Sequence, residues 1–152
     1  MRDFQKSKVY AAESDMSEKG ARFESVQDIQ QFVDKICGSR WFRNRFGRVI
    51  RIVVRDGRGR RSACGKGWNN IDGRYGIIKL PRWSRYTKYI LHEIAHVVMP
   101  GNTPAHGREF AKILLQLVAR WMGNEAAQEL RAAYRQRGVK YAGRLRCQSQ
   151  TK

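Results

Sequence analysis

The chain has 152 residues, of which 41% are apolar and 11% aromatic, and this composition is that of a folded domain rather than a disordered segment. No apolar run reaches the roughly 18–20 residues that a membrane span needs, and the N-terminal MRDFQKSKVY lacks the hydrophobic stretch of a signal peptide. The three cysteines, Cys37, Cys64 and Cys147, form no CxxC pair, which disfavours a disulfide framework or a zinc ribbon. We therefore expect a cytoplasmic protein that is neither secreted nor bound to a membrane.

The net charge of +18 is unevenly distributed. Residues 1–39 hold six Lys/Arg against seven Asp/Glu, whereas residues 40–152 hold 25 against six. An excess of this size favours association with polyanions such as nucleic acid, but it indicates no specificity.

The first part of the chain predicts two helices joined by an exposed linker. DFQKSKVYAAE is typical of a short helix, and residues 13–25 of a linker. Ser25 has the properties of an N-cap, with Asp28 three residues later, and Gly38 would end the helix that follows. The apolar residues of this helix share one face: Ile29, Phe32, Val33 and Ile36. SRWFRNRFG predicts a further short helical turn.

Strand composition begins at RVIRIVVR, residues 48–55, where Ile50, Ile52 and Val54 share one face. DGRG at 56–59 predicts a hairpin turn, so that RSAC would run back antiparallel. KGWNNIDGR is typical of a loop, and YGIIKL at 75–80 predicts another strand.

Prolines mark the boundaries of the next two helices. The first helix is expected from about Ser84 to Met99, between Pro81 and Pro100, with a buried stripe of Ile90, Ile94, Val97 and Val98. The second is expected to begin at Pro104, with Thr103 as its cap.

The second of these helices would end near Gly123, and Asn124 would cap a last helix that reaches about Gln136. From residue 131 onward the sequence is basic and contains no acid. Helix, strands and further helices in this order predict an α+β domain.

All three histidines lie within 15 positions, and the first two form HExxH. Residues four apart on a helix lie on the same side, so His92 and His96 can bind one metal ion. Glu93 follows His92 directly, where its carboxylate can reach a water activated by the metal without being a ligand. This pattern predicts a site for one Zn²⁺ ion with Glu93 as its catalytic base.

A catalytic zinc site usually has three protein ligands and one open position. His106 is the expected third ligand, because MPGNT is too short to separate the end of the first helix from the start of the second. Gly107 beside it would permit close backbone approach. Glu109 is the rival third ligand, and it can equally be a carboxylate favoured by the start of its helix.

The chemistry expected at this site is hydrolysis, with Glu93 taking a proton from the attacking water and returning it to the leaving amine. Candidates for stabilising the oxyanion are Tyr86, Tyr89 and Arg82, each of which can equally be a packing or surface residue. If YGIIKL is a sheet edge, an extended peptide could pair with Gly76, Ile77 and Ile78, and the alternative is an interior strand.

HEIAHVV followed by AHGREF resembles the SprT-like zinc metallopeptidases, which have HExxH on one helix and a third histidine in an HGxxF-type motif. The resemblance covers residues 75–121. It implies a zincin-like minimal metallopeptidase core, a small antiparallel or mixed sheet packed on the HExxH helix and further helices, with His92, His96 and His106 on zinc. The cysteine zinc ribbon of that group is missing, so a role in DNA repair does not follow.

More of the chain resembles a small family of metallohydrolases from actinobacteria and their phages. The similar stretches are RDFQKSKVYAAE, IIKLP, LHEIAHVV, HGREF and AAYRQRGVKY. The hydrolase assignment of that family itself rests on HExxH, so the resemblance implies fold and lineage but no substrate. We expect an N-terminal extension over 1–24, the metallohydrolase domain over 25–141 and a basic, flexible tail over 142–152.

Residues 40–68 hold ten Lys/Arg against one Asp and interleave them with aromatic residues. This mixture suits phosphate contact and base stacking, and it suits a soluble basic surface equally well. The candidates for nucleic-acid contact are Arg40, Arg43, Arg45, Arg51, Arg55, Arg58, Arg60 and Arg61.

Three functions are compatible with these patterns. The first is a zinc-dependent hydrolase that acts on a peptide or protein. The second is a basic nucleic-acid-binding protein with a structural zinc site, and the third is a zinc hydrolase with a non-peptide substrate. The sequence does not define the substrate or the oligomeric state.

Overall fold

Three strands form a mixed sheet in the computed structural model of this chain, which describes residues 2–141. The strands are β1 (Val49–Asp56), β2 (Cys64–Asn70) and β3 (Gly73–Leu80), in the order β1-β3-β2. β1 runs parallel to β3, and β2 runs antiparallel to it. Together with six helices among the described residues, this sheet confirms the predicted α+β class.

The hairpin predicted at DGRG is wrong. β1 pairs with β3 and not with β2, so the connection after β1 leads past the central position of the sheet to its other edge. The hairpin joins β2 to β3 instead, around Ile71 and Asp72. KGWNNIDGR, predicted as a loop, forms most of β2 and the hairpin turn. The glycines of β2 disfavour a strand prediction, but Gly65 and Gly67 are required because the strand packs closely against the helix that contains Glu93 and Val97.

Of the two alternatives for YGIIKL, the interior strand is confirmed and the sheet edge is wrong, because β3 is the central strand and Gly76, Ile77 and Ile78 have neighbours on both sides. Ile77, for example, lies between Val53 of β1 and Lys66 of β2. The two edges of the sheet belong to β1 and β2.

Three helices precede the sheet: α1 (Lys6–Ser14), α2 (Val26–Gly38) and α3 (Arg40–Phe46). The Ser25 hydroxyl accepts a hydrogen bond of 3.0 Å from the Asp28 backbone N–H, which confirms the predicted cap. α1 packs into the core through Val9 and Ala12, both fully buried. The segment expected as an N-terminal extension is therefore packed on the rest of the domain, whereas the predicted tail, 142–152, lies outside the described residues.

Three helices follow the sheet: α4 (Thr87–Val98), α5 (Arg108–Trp121) and α6 (Asn124–Arg137). α4 begins three residues later than the expected Ser84 and ends at Val98, one residue before the expected end. α5 begins four residues later than expected, with Gly107 as its N-cap. The Thr103 hydroxyl donates to the Pro100 carbonyl instead of capping a helix. Asn124 is the first residue of α6 rather than its cap.

α4 lies directly against the sheet. A Cβ at Gly65 or Gly67 of β2 would collide with the backbone carbonyl of Glu93 or Val97, so these two glycines allow the strand and the helix to touch. This contact fixes the position of α4 relative to β2. Among the described helices, none is both long and apolar enough to cross a membrane.

Candidate metal centre

The structure brings the three predicted histidines together. His92 and His96 lie one turn apart on α4, and their Nε2 atoms are 3.2 Å apart. His106 precedes the N-cap of α5, in the connection that returns the chain toward α4. One ligand nitrogen from each histidine lies within 4.8 Å of the others.

This cluster could hold a metal ion. Two nitrogens at tetrahedral positions, each about 2.0–2.1 Å from zinc, lie about 3.3 Å apart, close to the separation of the His92 and His96 Nε2 atoms. The Nε2 atom of His106 is buried and has no hydrogen-bond partner among the described residues. An unsatisfied imidazole nitrogen costs free energy unless it finds a ligand, and a metal ion would provide one.

Two carboxylates from the N-terminal segment hold the imidazoles. The Glu13 oxygens lie 2.8 and 2.9 Å from Nδ1 of His92, and Asp3 Oδ2 lies 2.7 Å from Nδ1 of His106. When Nδ1 donates to a carboxylate, Nε2 keeps its lone pair for a metal, and this arrangement is common around zinc. The sequence did not identify these carboxylates, because 79 and 103 residues separate them from their histidines.

Burial and charge set the protonation of the histidines. Burial lowers the pKa of His92, but the charge of Glu13 and its hydrogen bond outweigh this effect and raise the pKa overall. Burial, followed by the neighbouring His92 and His106, lowers the pKa of His96 to about 2. Burial also lowers the pKa of His106, against the opposing effect of Asp3. His96 and His106 are therefore neutral at pH 7, as metal ligands must be, whereas a metal ion on Nε2 of His92 would have to displace the proton that Glu13 favours.

Glu93 is 4% exposed, and its Oε2 atom has no hydrogen-bond partner among the described residues. Burial raises the pKa of this carboxyl to about 7, with His92 lowering it and Glu13 raising it further. Burying a carboxyl oxygen without a hydrogen-bond partner costs free energy, so the position of Glu93 beside His92 suggests a chemical role.

A cavity of about 230 Å³ opens beside His92 and Glu93. Tyr10 of α1 lines it, and its ring stacks on His92 with centroids 5.2 Å apart and lies 5.1 Å from the ring of His106. Burial, followed by the charges of Glu93, Glu13 and Asp3, raises the pKa of Tyr10 to about 12. The Tyr10 hydroxyl therefore remains a hydrogen-bond donor at neutral pH.

Lys88 is a second lining residue that the sequence did not indicate. It is 4% exposed, and its Nζ donates a 2.8 Å hydrogen bond to the Glu13 carbonyl. Burial lowers the pKa of this ammonium. The contact ties α4 to the end of α1 and so helps to place the Glu13 carboxylate.

The structure separates the other candidates. Tyr89 lines the cavity, whereas Tyr86 packs its ring against Tyr89 with centroids 6.3 Å apart, and Arg82 is exposed. Glu109 lines a different cavity with Lys112 of its own helix and is not part of the histidine cluster. The nucleic-acid candidates are all exposed, namely Arg40, Arg43, Arg45, Arg51, Arg55, Arg58, Arg60 and Arg61.

Comparisons of the chain with protein-family models, with curated proteins and with solved structures found no match. What the site can do is therefore inferred from its own geometry, burial and charges.

Proposed function

We propose that this protein is a zinc-dependent hydrolase, in which His92, His96 and His106 bind one Zn²⁺ ion and Glu93 is the general base. The observation that carries the proposal is the buried Glu93 carboxyl. Its Oε2 atom has no described partner, and it lines the same cavity as His92, one of three histidines with metal-ligand spacing. A structural zinc site has no use for such a carboxylate.

The chain's residues would divide the chemistry among them. A bound zinc ion would lower the pKa of a water toward about 7 and polarise the substrate carbonyl. Glu93 would accept the proton of the attacking water and return it to the leaving amine. The Tyr10 hydroxyl would donate to the oxyanion, because its ring already contacts two of the three imidazoles.

A peptide substrate suits the surroundings of the cavity. Ser62 and Ala63 line it and lead directly into β2, which pairs on one side with β3 and has no paired neighbour on its other side among the described strands. The outer edge of β1 is already occupied, because the Gln30 amide donates to the Ile52 carbonyl and accepts from the Val54 N–H. An extended peptide added to β2 would run past the cavity.

These features support a zincin-like metallopeptidase core, the fold that the SprT-like resemblance implies. The same residues would also serve a hydrolase with a non-peptide substrate. A panel of fluorogenic peptides, tested beside amide and phosphodiester substrates, distinguishes the two classes.

The decisive variant is Glu93→Gln. Loss of the general base is expected to lower kcat by about 10²–10⁴-fold, while the zinc content and Tm stay close to those of the parent protein. Glu109→Gln is the matched control, because Glu109 lies outside the histidine cluster, and it should retain activity. Loss of zinc or unfolding of Glu93→Gln would contradict the catalytic assignment and favour the structural-zinc alternative.

A further inference from the structure

The strands place a second set of functional side chains on the face of the sheet opposite α4. Alternate residues of a strand point to opposite faces, and Gly65, Gly67 and Gly76 occupy the face against α4. The pairing registers therefore define the opposite side, here called the basic sheet face. It consists of Arg51, Val53 and Arg55 of β1, Cys64, Lys66 and Trp68 of β2, and Tyr75, Ile77 and Lys79 of β3.

The basic sheet face carries four cations and no acid. Arg51, Arg55 and Lys66 are exposed, and Lys79 is half-buried. At the hairpin end, the Asp72 carboxylate accepts a 2.7 Å hydrogen bond from the Tyr75 hydroxyl. Like charges on neighbouring strands repel one another, so four cations on so small a face favour an anionic partner.

Two aromatic rings stand among these cations. Trp68 and Tyr75 are direct cross-strand partners, and their rings are nearly parallel, with an interplanar angle of 14° and centroids 6.4 Å apart. Trp68 is 40% exposed. Tyr75 is half-buried. Nearly parallel rings that are at least partly exposed and flanked by cations provide stacking faces for bases as well as contacts for phosphates.

We propose that the basic sheet face binds single-stranded nucleic acid. Arg51, Arg55 and Lys66 would contact phosphates, while unpaired bases stack on Trp68 and Tyr75. A duplex fits less well, because its bases are already stacked on one another and leave the two rings without partners. The proposal does not depend on the hydrolase activity, since the metal centre lies on the α4 side of the sheet.

The test measures binding of a fluorescently labelled oligothymidylate of about 12 nucleotides, a length within the usual range of site sizes. Trp68→Leu keeps an apolar side chain but removes the stacking surface, and it should weaken binding by about 10-fold or more. Trp83→Leu is the matched control, because Trp83 is also exposed, at 51%, but lines the metal cavity. It should leave the affinity unchanged.

The contribution of charge needs a matched pair of variants. Replacing Arg51 and Lys66 by Gln should reduce the slope of log K against log salt by about 1.4, or 0.7 for each lost phosphate contact. Replacing Arg135 and Lys140 by Gln removes the same charge from exposed positions elsewhere and should leave this slope nearly unchanged. Circular dichroism confirms that each variant is folded.

Three results would overturn the proposal. The first is an equal reduction of the salt slope in the two charge variants, and the second is an unchanged affinity of Trp68→Leu for the oligonucleotide. The third is tighter binding of the parent protein to duplex DNA or to anionic vesicles than to the oligonucleotide. Each would indicate non-specific attraction of polyanions. Glu93→Gln should bind the oligonucleotide like the parent protein, so a failure of the hydrolase proposal stays distinguishable from a failure of this one.

Discussion

At the scale of single residues, the candidate metal centre depends on groups that fix the orientation of the imidazoles. His92 is held by Glu13 and His106 by Asp3, whereas the Nε2 atom of His96 lies beside that of His92. Both carboxylates come from the N-terminal segment, so this segment completes the site that α4 begins.

Glu13→Gln and Asp3→Asn are each expected to lower the affinity for zinc by about 10–100-fold, because each removes the charge that orients an imidazole and increases its basicity. Competition with a chromophoric chelator measures the affinity. Glu18→Gln is the control, since Glu18 is an exposed carboxylate of the same segment. Unchanged zinc affinity in both variants would show that the carboxylates do not support the site.

Tyr10→Phe tests the hydroxyl alone, because the phenyl ring can keep its contacts with His92 and His106. If the hydroxyl donates to the oxyanion, kcat should fall by about 10²-fold, with unchanged KM and zinc content. Tyr89→Phe is the matched control. Tyr89 lines the same cavity, but its ring packs against Trp83 and Tyr86 rather than against the histidines. Full activity of Tyr10→Phe would remove this role.

At the scale of elements, the contact between β2 and α4 positions the helix that carries His92, Glu93 and His96. Its closeness explains why β2 has a sequence poor in strand-forming residues. A side chain at Gly65 or Gly67 would push the α4 backbone away from the sheet. The side chains of Glu93 and His96 would move with that backbone.

Gly67→Ala is therefore expected to lower the free energy of unfolding by about 1–3 kcal/mol, the usual cost of overpacking. Gly101→Ala is the control, because a Cβ at Gly101 would meet nothing within 4 Å, and its effect should stay within about 0.5 kcal/mol. Urea unfolding measures both. Equal stability of the two variants would mean that the strand and the helix can separate at little cost.

At the scale of the whole molecule, a metal ion would connect α4, the start of α5 and the N-terminal segment. Binding to the folded chain alone stabilises it by about 2.7 kcal/mol at a zinc concentration 100 times Kd. For a domain of this size, that corresponds to a rise in Tm of about 5–10 °C.

Thermal unfolding with and without zinc, after removal of metal by a chelator, tests this prediction. His106→Ala should lose most of the zinc-dependent increase in Tm, because it removes one ligand. Among the three histidines, His106 is the one that would connect the metal to the start of α5. An unchanged Tm with added zinc would contradict metal binding at this site.

The basic sheet face also belongs to this scale. The sequence showed that residues 40–68 are basic and aromatic, but it did not show which side chains share a surface. Two of the eight predicted arginines, Arg51 and Arg55, lie on this face, and strand pairing adds Lys66 and Lys79 to them.

The sequence by itself determined what depends on local periodicity. The spacing of His92 and His96, the Ser25 cap, the helices and the strands β1 and β3 follow from the geometry of a single helix or strand, so a short stretch of residues suffices to predict them.

Tertiary structure alone decided the central position of β3, the identity of β2 as a strand, and the pairing of Asp3 and Glu13 with their histidines. These contacts join segments far apart in the chain, and no local pattern records which carboxylate meets which imidazole. The glycines of β2 are the clearest case, because their reason lies in the backbone of α4 and not in the strand itself.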